Sequence, residues 1–283
     1  MTPQGQLWPK MPAPGNLMYL EYWGFKKPPF DNTPETDCFY MSGPHVEGLT
    51  RLIYAARMRK GCALLAGDIG CGKTALSRVF IKKISSEKKC DIALISNPCQ
   101  ESAEFLQDVL YKLQLPDAPD RKVEILRVLN EKLTENVREG KETLLIVDEA
   151  QLLTVATLEE IRLLLNLQIS GRFLLTIFLL GQPGLISKVK RLKQLRQRVA
   201  VSYFLRPFTL KETARYIFFR QRKAGAAQNV FSKQAIEMIY MHSNGLAGTI
   251  NNLCDLALLA GFGEKEKMIN LPIVKDVIQD GAI

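Results

Sequence analysis

The sequence predicts an α/β fold, a largely parallel sheet followed by a small all-helical C-terminal domain. Three observations carry that prediction. From Cys62 onward, short apolar runs alternate with amphipathic stretches, the signature of repeated strand–helix–strand units. The run Thr143–Val147 is continuously apolar, as expected of a strand covered on both faces. After Leu205 no strand pattern recurs, and the apolar residues fall at helical spacing.

The elements follow in chain order. Residues 1–17 carry Pro3, Pro9, Pro12 and Pro14 and read as a flexible extension, with Met18 an alternative start. Cys62–Ala66 is the first strand and runs into a glycine-rich turn. The next helix puts Leu76, Val79, Phe80 and Ile84 on one face. Ile92–Ser96 is a second strand. Helices follow around Phe105, Leu106, Val109, Leu110 and Leu113, and over Val123–Val137. Thr143–Val147, Phe173–Leu180 and Val199–Leu205 complete the predicted sheet, with Leu158–Leu167 helical between the first two. Near Pro207 the pattern changes. Thr209 and Glu212 have capping-box spacing and open a helix that Gly225 can end. Ser232 caps another, with Ala235, Ile236, Ile239 and Tyr240 inward, and Ile250, Leu253, Cys254, Ala257 and Leu258 mark a third. The expected division is an extension over 1–17, a core over 18–207 and a helical domain over 208–283.

Composition narrows the class. A chain of 283 residues, at about 150 residues per domain, is expected to hold roughly two domains. Hydrophobic residues at 47% and charged residues at 24% exclude a mainly disordered, collagen-like or coiled-coil chain. The formal net charge of +9 permits a nucleic-acid or anionic partner without requiring one. The six cysteines have no CxxC spacing and only two histidines accompany them, which argues against a zinc site. The N-terminus lacks a secretory signal pattern, and the longest apolar stretch, near Phe173–Gly181, is too short to span a bilayer. These features predict a cytoplasmic protein with no intrinsic membrane span.

The turn after the first strand reads Gly67-Asp68-Ile69-Gly70-Cys71-Gly72-Lys73-Thr74, the G-x-x-x-x-G-K-[ST] spacing of a P-loop NTPase. Each residue type has a reason. Glycines let backbone N–H groups turn inward around phosphate oxygens. The helix that begins near Lys73 adds the positive end of its dipole. Lys73 neutralises the β- and γ-phosphates, and the Thr74 hydroxyl ligates Mg2+. The predicted nucleotide-binding residues are Gly67 to Thr74 and Ala75. A chance match on a glycine turn would not need the strand before it and the helix after it.

The strand Leu144-Leu145-Ile146-Val147 ends in Asp148-Glu149, a Walker B pattern. Asp148 is the candidate Mg2+ holder and Glu149 the candidate general base for the attacking water. Without a P-loop the same pair would read as surface carboxylates at a strand end. No guanine-selecting Asn-Lys-x-Asp stretch occurs, which favours ATP.

Further residues are weaker candidates. Asn97 follows the second strand and would suit a contact to Glu149; a turn-forming Asn is an equal alternative. Gln182 follows the strand after Walker B, where its amide would reach the γ-phosphate or the water; loop capping is the alternative. Arg196 and Arg198 precede the last strand, where an arginine can stabilise phosphoryl charge in a neighbouring subunit. His45 is more simply a structural histidine than a contact. Cys71 would make the loop oxidant-sensitive. Phe30 or Ile217 would suit an adenine contact, with core packing the alternative.

These motifs sit in a wider pattern that resembles the AAA+ ATPases of the general secretion pathway protein A (ExeA-type) family. The residues that carry it are Met18-Tyr19-Leu20, Gly24-Phe25, Pro29-Phe30, His45 with Glu47, and the P-loop. They continue with Asp148-Glu149-Ala150-Gln151, Glu160 to Leu164 with Asn166-Leu167, and Gly181-Gln182-Pro183. Gln197-Arg198, Glu212-Thr213, Tyr216-Ile217 and Ile250-Asn251 complete it, so it covers about residues 18–260. The resemblance implies a RecA-like parallel sheet, a C-terminal helical lid, and Mg-ATP held between subunits of a ring or filament. It makes Gln182 the sensor 1 residue and Arg198, rather than Arg196, the arginine finger. Two positions depart from it. Gly248 stands where the family carries a sensor 2 arginine, and Gly184 replaces a glutamate. Secretion members often continue into a membrane segment and a peptidoglycan-binding region; this sequence is read as ending after the lid.

The resemblance implies an ATPase that drives assembly of a secretion or pilus apparatus through a separate membrane-bound partner. A second reading is a DNA-binding ATPase of the transposon target-selection kind, partnered by a transposase. Its motive is local. Lys188, Lys190, Arg191, Lys193, Arg196 and Arg198 put six cations within residues 188–198, with no acid among them. Val189, Leu192 and Leu195 recur at helical spacing, so one helix is expected to project the cations. A solvated helix face is the alternative. A third reading, motivated by Gly248, is a regulatory switch with little turnover.

Overall fold

The computed structural model describes residues 18–32, 39–87, 89–98, 101–115 and 121–281. The extension expected over 1–17, and Cys38 and Cys99, lie outside the described residues. Contacts divide the chain into two units.

The larger unit is built on a parallel sheet. Its strands are β1 (Cys62–Gly67), β2 (Cys90–Ile95), β3 (Glu142–Val147), β6 (Thr176–Gly181) and β7 (Val199–Leu205), in the spatial order β2-β3-β6-β1-β7. A two-residue hairpin of β4 (Gln168–Ile169) and β5 (Arg172–Phe173) stands apart. Phe173 was expected to open the strand that follows Walker B. It pairs with Gln168 in the hairpin instead, and the sheet strand starts at Thr176 opposite Leu144.

Strand residues point alternately to two faces, and two cores result. Cys62, Leu64, Ala66, Leu145, Val147, Ile177 and Leu179 pack on one face with Phe105, Leu106, Ile125 and Leu129. The latter come from α4 (Ser102–Lys112) and α5 (Lys122–Arg138). Ala63, Leu65, Leu144, Ile146, Phe178 and Leu180 pack on the other, against α2 (Gly43–Arg57) and α3 (Lys73–Glu87). Because both faces are covered, β1, β3 and β6 are buried along their whole length.

After β3 a short 3₁₀ turn (Ala150–Leu152) leads to α6 (Val155–Leu164), whose N-terminus is capped by Thr154 accepting from the Thr157 amide. After β6 come α7 (Pro183–Arg191) and α8 (Lys193–Arg198). The single helix expected over the basic run is therefore two, broken at Leu192 with φ −91° and ψ 82°. Buried Val189 and Leu195 lie on either side of that break. Phe208 was expected in the helical domain. It groups with the sheet, and its ring packs against Tyr40 and His45.

The smaller unit is helical, with α1 (Met18–Trp23), α9 (Leu210–Lys223), α10 (Lys233–Ser243), most of α11 (Ala247–Gly263) and α12 (Leu271–Gln279). Residues 18–32 were expected in the core and group here instead. Trp23 Nε1 donates to the Leu258 carbonyl at 3.0 Å, Tyr19 Oη donates to Asp255 at 3.0 Å, and Arg220 Nε donates to the Pro29 carbonyl at 2.6 Å. The Thr209–Glu212 capping box forms, and Ser232 accepts from the Ala235 amide as expected. Phe30 sets its ring edge-on to Phe231, and Ile217 is fully buried, so both are core residues of this unit.

Candidate nucleotide site

Strands β3, β6 and β1 are neighbours and parallel, so their carboxyl ends lie side by side, where open α/β sheets bind ligands. The chain leaves β1 through the P-loop, β3 through Asp148-Glu149 and β6 through Gln182. All three motifs are thereby brought to one edge.

Between β1 and α3, Gly70 and Gly72 adopt φ +79° and +94°, values that an L side chain resists. Gly67 is needed for a different reason: a Cβ there would meet the Leu205 carbonyl oxygen and Cys71 Sγ at 2.7 Å. Lys73 is buried, and its Nζ donates to the carbonyls of Gly67 at 3.0 Å and Asp68 at 2.9 Å. The loop is gripped from outside as well, because His45 Nε2 lies against the Cys71 carbonyl. Burial pushes the Cys71 thiol up, against the opposing pull of the Lys73 ammonium.

Thr74 Oγ1 donates to Asp148 Oδ2 at 2.6 Å, and the Glu149 amide donates to Asp148 Oδ1 at 2.9 Å. The Asp148 carboxylate is buried and fully oriented. Glu149 has left-handed backbone, φ +52°, so the chain turns sharply as it leaves β3. Strain of this kind concentrates at functional sites. An adjacent hydroxyl and carboxylate are the oxygen donors a hard cation such as Mg2+ takes, so the residues present fit the metal.

The expected contact between Asn97 and Glu149 does not form. Asn97 is exposed, and the side chain that meets Glu149 is Gln151, whose Nε2 donates to Oε2 at 2.5 Å. Gln151 Oε1 in turn accepts from the Gln182 amide at 3.0 Å. Gln182 thus joins the cluster through its backbone. The sequence assigns Gln151 no role of its own, although it stands only two residues after Glu149.

Lys188 Nζ donates to the Gln151 and Leu153 carbonyls, so the first cation of the basic run is committed to the site's scaffold. Lys190, Arg191, Lys193 and Arg196 are exposed, while Arg198 donates to Asn166 Oδ1 at 3.0 Å. Leu246–Gly248 group with the sheet unit, and there the Gly248 amide donates to the Gly70 carbonyl at 3.1 Å. Backbone therefore meets the P-loop where the family resemblance implies a sensor 2 side chain.

Residues 56–189 match an AAA domain family. The chain is 35% identical over 248 residues to the general secretion pathway protein A of Aeromonas hydrophila, covering 87% of this chain and 45% of that protein. It is 32% identical over 109 residues to the ATP-dependent target DNA activator B of Escherichia phage Mu, covering 38% and 32% respectively. The chain thus spans less than half the length of these relatives. Among solved structures, Drosophila ORC bound to DNA aligns with a TM-score of 0.70 at 13% identity, over 98% of this chain and 70% of that one. At that identity the likeness is one of fold.

Proposed function

From this P-loop AAA+ fold and its resemblance to general secretion pathway protein A, we propose that the protein binds and hydrolyses Mg-ATP and uses the cycle to remodel a partner complex. One observation carries the reading: the Thr74–Asp148 hydrogen bond of 2.6 Å, with Glu149 adjoining. That contact supports reading Thr74 and Asp148 as the metal donors and Glu149 as the base beside the phosphate loop. In this mechanism the P-loop amides and Lys73 hold phosphate oxygens. Thr74 and Asp148 would hold Mg2+, which when bound would offset the charge that develops on the phosphate oxygens. Glu149 takes the proton from the attacking water. Gln182 orients the water or the γ-phosphate, and Arg198, or Arg196 beside it, supplies a cation to the site of a neighbouring copy in a ring or filament. The C-terminal helices of the smaller unit, from Leu210 onward, act as a lid. The partner is a membrane-bound secretion or pilus component, and the chain works in the cytoplasm; among the described residues no helix is long and apolar enough to cross a membrane.

Phosphate-release assays test the reading. Lys73→Ala is expected to lose nucleotide binding, whereas Glu149→Gln is expected to keep binding and lose turnover. Wild-type turnover in Glu149→Gln overturns the base assignment. Absence of turnover in the wild-type protein, with binding intact, leaves the regulatory switch that Gly248 motivates.

A DNA-binding, transposase-partnered reading is favoured by one feature, the exposed cations Lys190, Arg191, Lys193 and Arg196. Similarity to the phage Mu activator points the same way. Salt-sensitive DNA binding that is lost in Lys190→Ala/Lys193→Ala would establish it; absence of binding at low salt with ATP present would end it.

A further inference from the structure

Gln151 lies at the centre of three hydrogen bonds that involve three segments of the site. Its Nε2 donates to Glu149 Oε2 at 2.5 Å. Its Oε1 accepts from the backbone N–H of Gln182 at 3.0 Å. Its own carbonyl, with that of Leu153, accepts from Lys188 Nζ on α7. A side-chain amide donates through its NH2 and accepts through its oxygen at the same time. Here the donor faces the second acid of Walker B and the acceptor faces the residue after β6.

The neighbouring strand is shaped to admit this arrangement. A Cβ on Gly181 would meet Gln151 Oε1 at 2.7 Å and the Gln151 amide nitrogen at 3.2 Å. Gly181 has no positive φ. Its missing side chain is therefore explained by clearance for Gln151 and by the neighbouring Leu185, 3.0 Å from the same point.

We infer that Gln151 is a positioning residue that fixes the carboxylate of Glu149 relative to Gln182, so that base and sensor move as one piece. The inference rests on Glu149 being the general base. A carboxylate on a turn with left-handed backbone has several side-chain rotamers available, and one donated hydrogen bond selects among them. The third anchor, Lys188, satisfies one carbonyl of the 3₁₀ turn and that of Leu153 just after it, and keeps Gln151 from drifting away from β6. Gln151 touches neither phosphate nor water in this scheme. It acts through Glu149.

Three variants of the full-length chain test this, read by ATP turnover, nucleotide Kd and thermal melting. Gln151→Met keeps the length of the side chain and removes both bonds. It is expected to lower kcat about ten- to a hundredfold, the worth of a hydrogen bond to a charged group, with Kd for ATP unchanged. Gln151→Glu can still accept from Gln182 but cannot donate to Glu149, so it should lose as much. Gly181→Ala approaches the same bond from the sheet and should give the same pattern, which protects the test should one Gln151 variant fold poorly. The deciding measurement is non-additivity. In the Glu149→Gln background, Gln151→Met should leave the residual single-turnover rate, read at enzyme excess, unchanged, because the group it positions is already gone. Multiplying losses would show that Gln151 acts independently of Glu149 and would overturn the inference. So would wild-type kcat in folded Gln151→Glu. Full turnover in Glu149→Gln alone would instead remove the base itself, and the positioning role with it.

Discussion

His45 Nε2 lies 3.2 Å from the carbonyl oxygen of Cys71, while His45 Nδ1 lies 2.6 Å from Ser42 Oγ. A single tautomer satisfies both contacts: Nε2–H donates to the carbonyl and Nδ1 accepts from the hydroxyl. The ring is buried and packs edge-on against Phe39. A histidine at the start of α2 thereby pins the middle of the phosphate loop. His45→Ala is expected to weaken nucleotide binding about tenfold, the value of one lost buried hydrogen bond, and to lower the melting temperature. Titration with a fluorescent ATP analogue measures it, and an unchanged Kd would show that the loop holds its shape unaided.

Two glycines with similar backbone separate strain from crowding. Gly72 has φ +94°, and a Cβ there would stand 3.0 Å from His45 Nε2; Gly140 has φ +70° and open space around it. Alanine at either costs roughly 1–2 kcal/mol of backbone strain. Only Gly72→Ala should also lose nucleotide affinity, through displacement of the His45 contact. Equal affinities in the two folded variants would refute the distinction.

Cys71 has a thiol raised above its ordinary value by burial, with Lys73 pulling the other way. The thiolate is the reactive form, so at pH 8 alkylation of Cys71 is expected to be slow, and to speed up as pH rises further. Peptide mapping after timed iodoacetamide treatment, with and without ATP, reads this directly. Rapid modification near neutrality would contradict the burial argument. By the same reasoning the Cys62 thiol, pushed up to about 12 by complete burial, should remain unmodified in the folded chain.

Gly248 offers a gain-of-function test. A Cβ there would lie 3.4 Å from Gly70 Cα, an ordinary contact, so a side chain can be added without moving the loop. Gly248→Arg is expected to raise turnover severalfold by restoring a cation for transition-state charge. If turnover is unchanged in a folded variant, lack of that cation is not what limits the reaction.

Much of this arrangement could be read in the sequence because it is local. The P-loop spacing, the acids at the end of a continuous apolar strand, and the Thr209–Glu212 box each depend on neighbours a few residues away. What escaped depends on distant partners. The tie between Gln151 and Gln182 spans 31 residues and exists only because β3 and β6 are adjacent. Tyr19 and Trp23 looked like the start of the core, yet their partners Asp255 and Leu258 lie 236 and 235 residues away. The break at Leu192 has no Gly or Pro to announce it, and Val189, Leu192 and Leu195 keep helical spacing straight through it. Packing decides there, not propensity.

The strand order also governs when the site comes into being during synthesis. Strand β1, which carries the phosphate loop, pairs only with β6 and β7, whose residues begin at Thr176 and Val199. A nascent chain that ends before β6 already contains every residue of the loop and both acids, yet neither edge of β1 has a partner. The Thr74–Asp148 contact, 74 residues in span, waits on strands made after both of its members. Such late, non-local closure is slow, and a nucleotide that recognises only the closed arrangement cannot guide the earlier steps. On the ATP-binding function proposed above, ATP is expected to stabilise the completed sheet alone, and its binding would report that the ribosome has delivered the chain at least as far as Leu205.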